Sequence, residues 1–306
     1  MMKSFKHWMI GLDLTNMDKI ITGYASFLSD MNAPDRITFF HIVEHTGIDS
    51  ELQDLFPEVK DKEPLKTMIG KELRKKYGSL LKGFTPDVDI VIKEGKPTKA
   101  ILSLLEEEDP DLLILGKKSG YEGEGILPRQ IVKYAHCSTL FVSENTHYNL
   151  DNVLVPVTFS KASARAVKQG KVLTVQYDAE LHLQHVYEYP KQFFPYIPSE
   201  KYAERMNEYL QKKLDKFREK YKLGKLPECR FSVNEDGREI NQIYDYALHT
   251  QTDMIVVGSK RKSSTAALLT DSLADHMAEY HFGCPAFIYK EKREHSGLLK
   301  SLLDQD

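Results

Sequence analysis

Short runs of aliphatic and β-branched residues alternate along this chain with longer segments whose apolar positions recur every three or four residues. The short runs read as strands buried on both faces, the longer segments as amphipathic helices. The pattern predicts strand Trp8–Leu12, helix Met17–Met31, strand Ile37–Ile42 and a helix around Leu65–Leu81. Strand Val88–Ile92, helix Thr98–Glu107, strand Leu112–Leu115, helix Leu127–Ala135 and strand Thr139–Val142 follow. Further strands are expected at Val153–Val157, Glu180–Val186, Arg230–Val233, Met254–Val257 and Ala286–Tyr289. The longest predicted helix is Glu200–Lys222, where Tyr202, Met206, Tyr209, Leu210, Leu214, Phe217 and Tyr221 form one expected buried stripe. Strands separated by amphipathic helices imply βαβ units, a parallel sheet and helices on both of its faces.

The second half repeats the first. Met9-Ile10-Gly11-Leu12-Asp13 corresponds to Leu154-Val155-Pro156-Val157-Thr158 at an offset of 145 residues. Thr38–Ile42 corresponds to His182–Val186 at 144, Asp111–Gly116 to Asp253–Gly258 at 142, and Cys137–Val142 to Cys284–Tyr289 at 147. Four blocks in one order with little drift indicate a tandem duplication. A period of that length is too long for a solenoid unit, so each copy is expected to be a whole domain, residues 1–146 and 147–306. The junction near Asn145–Asp151 is short, which predicts that the two domains pack together.

Composition narrows the class. Of 306 residues, 41% are hydrophobic and 28% charged, as in ordinary globular proteins. The formal net charge is −3; the first 150 residues carry 19 bases and 23 acids, the remainder 23 and 22. Neither half has the basic excess of a dedicated nucleic-acid binder. The apolar runs fall far short of the ~20 residues of a membrane span. Met1–Trp8 leads into no apolar signal core. Three cysteines, Cys137, Cys229 and Cys284, form neither a disulfide framework nor a C-x-x-C pair, which with the missing signal suggests a cytoplasmic protein.

Open parallel sheets bind ligands beyond the carboxyl ends of their strands. In the first copy that places Asp13, the stretch from Ile42 to His45, and the loop from Gly116 to Gly125. In the second copy it places Thr158, Val186 to Glu188, and the loop from Gly258 to Ser272. His41 and His185 occupy equivalent strand positions, which fold placement explains better than catalysis. Glu44, His45 and His147 show no tight metal-ligand spacing, and no catalytic triad is recognisable from residue order. The aromatic stretch from Tyr187 to Pro198 suits packing on the long helix that follows it, with the lining of a ligand cleft or the clamping of a partner as the alternative.

Val-Pro-Val-Thr-Phe-Ser at 155–160, His-Val at 185–186, Asp-Met-Ile-Val-Val-Gly-Ser at 253–259 and Cys-Pro-Ala-Phe-Ile at 284–288 together resemble a universal stress protein domain. The resemblance covers nearly the whole chain as two such domains. It implies two tandem flavodoxin-like, Rossmann-like α/β domains, each a five-stranded parallel sheet flanked by helices. In that family dimers pair through their last strands, so Thr139–Val142 and Ala286–Tyr289 are expected to pair across a pseudo-two-fold axis.

The family's ATP-binding members carry Gly-x2-Gly-x9-Gly-Ser/Thr after strand 4 and an Asp at the end of strand 1. Glycines let a backbone approach phosphates, and a helix N-terminus favours anions. The second copy keeps Gly258, Ser259 and Ser272 but has Arg261 and Asp271 where glycines belong, and Thr158 in place of the Asp. Its last helix is expected to be self-capped by Asp271, leaving Lys260, Arg261 and Lys262 to hold at most a small anion. The first copy keeps Asp13 and offers Gly116, Lys117, Gly120, Gly123 and Gly125 on a shorter loop. If ATP or another adenine nucleotide binds, the resemblance places adenosine near Asp13 and Ile42, and phosphates near Gly120 to Gly125. Val186 is the second copy's counterpart of Ile42.

The resulting expectation is a universal stress protein: a cytoplasmic stress-response binding or signalling module, not an enzyme, with weak adenine-nucleotide binding in the first copy. The rival readings are a slow ATPase or nucleotidyl-transfer enzyme in the same cleft, and an interaction scaffold with no ligand. Intramolecular domain pairing is expected, with further oligomerisation and an unidentified protein partner left open.

Overall fold

The computed structural model describes residues 5–44, 67–75, 87–118, 126–188, 199–234, 237–259 and 272–292. The first copy contains β1 (His7–Leu12), α1 (Met17–Ser29), β2 (Arg36–Val43), α2 (67–75) and β3 (Asp87–Glu94). It continues with α3 (Pro97–Glu108), β4 (Leu112–Lys117), α4 (Ile126–Tyr134) and β5 (Ser138–Ser143). The second copy contains β6 (Asn152–Pro156), α5 (Lys161–Tyr177), β7 (Glu180–Glu188), α6 (Ser199–Lys220) and β8 (Cys229–Asn234). It ends with α7 (Glu239–His249), β9 (Met254–Gly258), α8 (Leu273–Glu279) and β10 (Ala286–Tyr289).

The ten strands among the described residues form one sheet in the order β3-β2-β1-β4-β5-β10-β9-β6-β7-β8. The order is palindromic with respect to the duplication. Every pair within a copy is parallel. The central pair is antiparallel, with Ala286 opposite Phe141, Phe287 opposite Leu140 and Ile288 opposite Thr139. The last strands therefore join the copies as expected, and each covers the sheet edge that the other would leave open.

Two apolar layers lie on the two faces. One packs α1, α2, α5 and α6 on the sheet and runs continuously from Trp8, Ile21 and Tyr24 to Val167, Leu214 and Phe217. The other packs α3, α4, α7 and α8 through Ile101, Leu105, Ile131, Ile243 and Met277. Local chemistry sets the helix ends. Pro97 opens α3, where a missing N–H costs nothing. Asp109 and Asp178 close α3 and α5 in the left-handed region, at φ 43° and 53°. Ser160 and Ser163 form a reciprocal capping box at the start of α5. In both copies an aspartate clamps the entry of the first strand: Asp111 Oδ2 accepts from Lys6 N and His7 N, and Asp253 Oδ2 from Asp151 N and Asn152 N.

The copies are joined by more than the strand pair. Lys290, buried in the second copy, donates from Nζ to Val132 O and Ala135 O at 2.8 and 2.7 Å, at the carboxyl end of α4. The ammonium sits where the helix dipole is negative and last-turn carbonyls lack partners. Tyr177 OH bonds Leu28 O at 3.2 Å, linking α5 to α1. Tyr148, in the short junction, lies against Gly23 of α1, where an added Cβ would come within 2.3 Å of the tyrosine hydroxyl.

The predicted stripe of α6 needs one correction. Tyr202, Leu210, Leu214 and Phe217 are buried, but Tyr209 is 51% exposed with Lys213 over its ring. At 100° per residue Tyr209 falls about 90° from the centre of that stripe, outside a face of this width. Tyr187 packs with Tyr202 and Leu210, as the packing reading of the aromatic stretch required. The rest of that stretch, from Tyr189 to Pro198, lies outside the described residues.

Candidate functional site

At the carboxyl ends of β1, β2 and β4 the first copy opens a cleft of about 470 Å³. This is the point where the chain order switches between β1 and β4, the standard ligand position of an open α/β sheet. Phe40, Ile42, Ile101, Leu115 and Leu127 make an apolar lining, and Asp13, Thr15, His41, Glu44, Lys117 and Lys118 bring the polar groups. The volume suits a small organic ligand, for which pockets of ~300–1,000 Å³ with few convergent polar groups are usual.

The turn after β1 fixes Asp13. Leu14 is left-handed at φ 65°. Fully buried Asp18, in the first turn of α1, holds this bend by accepting from Asp13 N and Leu14 N at 2.8 and 3.0 Å. Sequence reading did not single out Asp18, although an acid in a first helical turn is a recognised sign of N-terminal capping. Asp13 Oδ1 accepts from Thr15 N and Thr15 Oγ1, and Oδ2 lies 2.5 Å from Lys118 Nζ. Burial acts to raise the pKa of Asp13, but the hydrogen bonds from Lys118 and Thr15 outweigh it and hold the carboxyl below its usual value. His41 donates from Nδ1 to Leu12 O at 2.8 Å, because a carbonyl can only accept.

Of the other predicted residues in the first copy, Ile42 and Gly116 line the cleft beside Asp13. A Cβ on Gly116 would lie 2.6 Å from Met17 Cγ and 2.8 Å from Ile21 Cδ1, so the close approach of α1 itself requires this glycine. Lys117 also lines the cleft, but its ammonium crosses to the second copy and donates to Ala278 O and Tyr280 O at 2.5 and 2.6 Å. Gly120, Gly123 and Gly125 lie outside the described residues, as does His45.

The second copy arranges the same positions differently. His185 repeats the His41 bond, donating from Nδ1 to Val157 O at 2.7 Å. Phe159 repeats the left-handed bend at φ 55°, but its ring packs against His185 and Phe217. Gly258 is under a harder constraint than Gly116, because a Cβ there would sit 2.0 Å from Ala162 O, a backbone atom. Val186 lies partly buried against the α7–α8 layer, and Ser259 N bonds Tyr289 O at 3.0 Å. Ser272 caps α8 with the help of Asp275, whose Oδ2 accepts from both Ser272 N and Ser272 Oγ at 2.8 Å. Asp275 thus closes the Ser272 side of a capping box at the start of the helix. The carboxylate that serves it comes from inside the helix; the nominated Asp271 lies outside the described residues, with Lys260, Arg261 and Lys262. The Ser-x-x-Asp spacing carried that signal. Glu239 takes the place that Pro97 holds in the first copy. Its burial raises its pKa; the charge of His276 opposes this and that of Glu188 adds to it. Among the described residues this mouth carries Glu188 and Glu239, where the first carries Asp13 and Glu44 beside Lys117 and Lys118.

A larger groove of about 690 Å³ lies elsewhere, over the β7–β8 edge, and is lined by His182, Arg230, Asp245, Tyr246 and His249. It sits at the amino ends of those strands, opposite the end where parallel sheets bind ligands. Burial pushes the thiols of Cys137, Cys229 and Cys284 up to about 12, far from nucleophilic use. No helix among the described residues is long and apolar enough to cross a membrane.

Comparison with known proteins supplies a family. The universal stress protein family matches twice, over residues 5–143 and 149–290. No curated protein matches the chain. Among solved structures, a functionally unknown protein of Pseudomonas aeruginosa PAO1 is similar at 10% identity and TM-score 0.65, covering 99% of this chain and 98% of that one. A universal stress protein of Archaeoglobus fulgidus DSM 4304 is similar at 15% identity and TM-score 0.62, covering 94% and 99%. A shorter match, to a universal stress protein family protein of Arabidopsis thaliana with AMP bound, has 15% identity, TM-score 0.32, and covers 45% and 91%.

Proposed function

The chain belongs to the universal stress protein family as two tandem domains, and from that premise we propose that it is a binding and signalling module whose first domain takes an adenine nucleotide. One observation carries the reading: the cleft of about 470 Å³ at the β1–β4 switch point, apolar inside and edged by Asp13, Lys117 and Lys118. The apolar lining suits a purine. Asp13, preorganised by Thr15 and Lys118, offers a carboxylate acceptor for ribose hydroxyls. Lys118, next after β4 and paired with Asp13, stands on the side where phosphate would lie, while the Lys117 ammonium is engaged by the carbonyls of Ala278 and Tyr280. Ile42 and Gly116 wall the same space, and Gly120, Gly123 and Gly125 fall in the sequence between β4 and α4, outside the described residues.

The second domain is proposed to hold no nucleotide in this manner. The start of its last helix already carries the Asp275 carboxylate, bonded to Ser272 N and Oγ, and this charge, with Glu188 and Glu239, would oppose a phosphate. Gly258, Ser259 and Ser272 act there in packing, main-chain pairing and capping, and Arg261 is left for a small anion.

Native mass spectrometry of the purified chain with AMP or ATP tests the proposal. One nucleotide per chain, recovered unhydrolysed, is expected. Two per chain, or none, contradicts it, and steady release of ADP or AMP from ATP points to the enzymatic reading.

A further inference from the structure

The first domain's cleft is not made by the first domain alone. His281, which follows α8 of the second domain, is one of its lining residues, on the side of Lys117, Lys118, Leu127 and Pro128. We infer that the cleft is a composite site in which His281 of the second domain contacts the phosphate of the bound nucleotide. The inference rests on the nucleotide reading above and adds the domain boundary to it.

Three features of the structure support this. First, the position of His281 is set by contacts between the domains. Lys117 Nζ holds Ala278 O and Tyr280 O on the carboxyl side of α8, and Arg129 pairs with Glu279 at 3.2 Å. The imidazole is thus carried on a backbone pinned to the cleft wall by two ion-assisted links, the preorganisation that a recognition residue needs. Second, the carboxylate at the end of β1 is already charge-matched. Asp13 Oδ2 is paired with Lys118 Nζ, and Lys117 Nζ is held by carbonyls of the second domain, so His281 brings a further N–H donor to the lining. A phosphate placed beside it has its purine over the apolar lining. Third, an imidazole N–H is a directional donor that complements a lysine point charge at a phosphate oxygen. A nucleotide held this way touches both domains, so its binding is linked to the contact between β4, α4 and α8, and whatever loosens that contact weakens the nucleotide.

The test measures AMP and adenosine binding to the full chain by calorimetry, for the wild type, His281→Ala and His281→Gln. One charge-assisted hydrogen bond predicts ~10-fold weaker AMP binding in His281→Ala, partial recovery in His281→Gln and unchanged adenosine binding. Should a variant fail to fold, the wild type still decides: the His281 imidazole resonance shifts on adding AMP and stays in place on adding adenosine. AMP bound equally by all three proteins, or a resonance that ignores AMP, overturns the inference and leaves the nucleotide reading standing. Equal weakening of AMP and adenosine also overturns it, since the histidine would then act through packing. A wild type that binds neither ligand overturns both.

Discussion

Asp13-Leu14-Thr15 in the first domain and Thr158-Phe159-Ser160 in the second make the same bend after the first strand, each with a left-handed central residue. They are held by different chemistry. Buried Asp18 gathers the main-chain amides of the first bend, and the Ser160–Ser163 box closes the second. The same divergence recurs around the mouth. Where the first domain has Pro97, Lys117 and a glycine facing side chains, the second has Glu239, Ser259 and a glycine facing backbone. A duplicated fold keeps its backbone geometry because strand register and helix packing demand it. The polar groups at the strand ends bear no such demand and can turn from ligand binding to structural duty.

The largest effect that sharpens this comparison is on stability. Gly258→Ala drives a methyl into Ala162 O, which cannot rotate away, and is expected to cost about 3 kcal/mol or more, the upper end of overpacking. Gly116→Ala meets the side chains of Met17 and Ile21, which can shift, and is expected to cost about 1 kcal/mol. Urea unfolding of both variants checks the ranking, and equal losses would break the comparison.

Next come the two bends. Asp18→Ala strands two amides and is expected to cost about 2–3 kcal/mol, whereas Ser163→Ala strands only Ser160 N, leaves the Ser160 cap in place and is expected to cost about 1 kcal/mol. Asp18→Ala should also abolish nucleotide binding, because Asp13 loses its fixed backbone. A variant that melts like the wild type and still binds would contradict the role given to Asp18.

A smaller effect depends on pH. Because the folded-state pKa of Glu239 is raised above 4.5, its carboxylate ionises at lower pH in the unfolded chain than in the folded one. Stability is fully present below that value and is lost as pH rises through the raised folded pKa. Glu239→Gln is therefore expected to be slightly more stable than the wild type at pH 7 and to lose that advantage below pH 4.5. Thermal melts across pH 4–8 test this, and an advantage independent of pH would assign the gain to packing instead. The first domain, with Pro97 at this position, has no counterpart to this effect.

The strands and the duplication were legible because each rests on local pattern: β-branched runs, helical spacing and four ordered blocks at offsets within five residues of one another; the pairing of last strands followed from the family resemblance. Tyr209 misled because it sits at the margin of an otherwise regular stripe, and only angular position separates it from Leu210. Asp275 was legible in principle from its spacing to Ser272. Lys117 and His281 were not, since one reaches 161 and 163 residues along the chain to the end of α8, and the other enters a cleft built by the opposite domain. The glycines after the fourth strand in each copy read as phosphate-loop residues. The structure adds a demand the motif does not encode, the approach of α1 to Gly116 and of α5 to Gly258.

The central claim is that one mouth of the pair binds nucleotide and the other does not. Calorimetric titration of the full chain with AMP tests it most directly, run on the wild type, Asp13→Ala and Thr158→Ala. The account predicts one site per chain, ~10-fold or greater weakening in Asp13→Ala and no change in Thr158→Ala. Two sites per chain, or AMP binding that survives Asp13→Ala and is lost in Thr158→Ala, would contradict it.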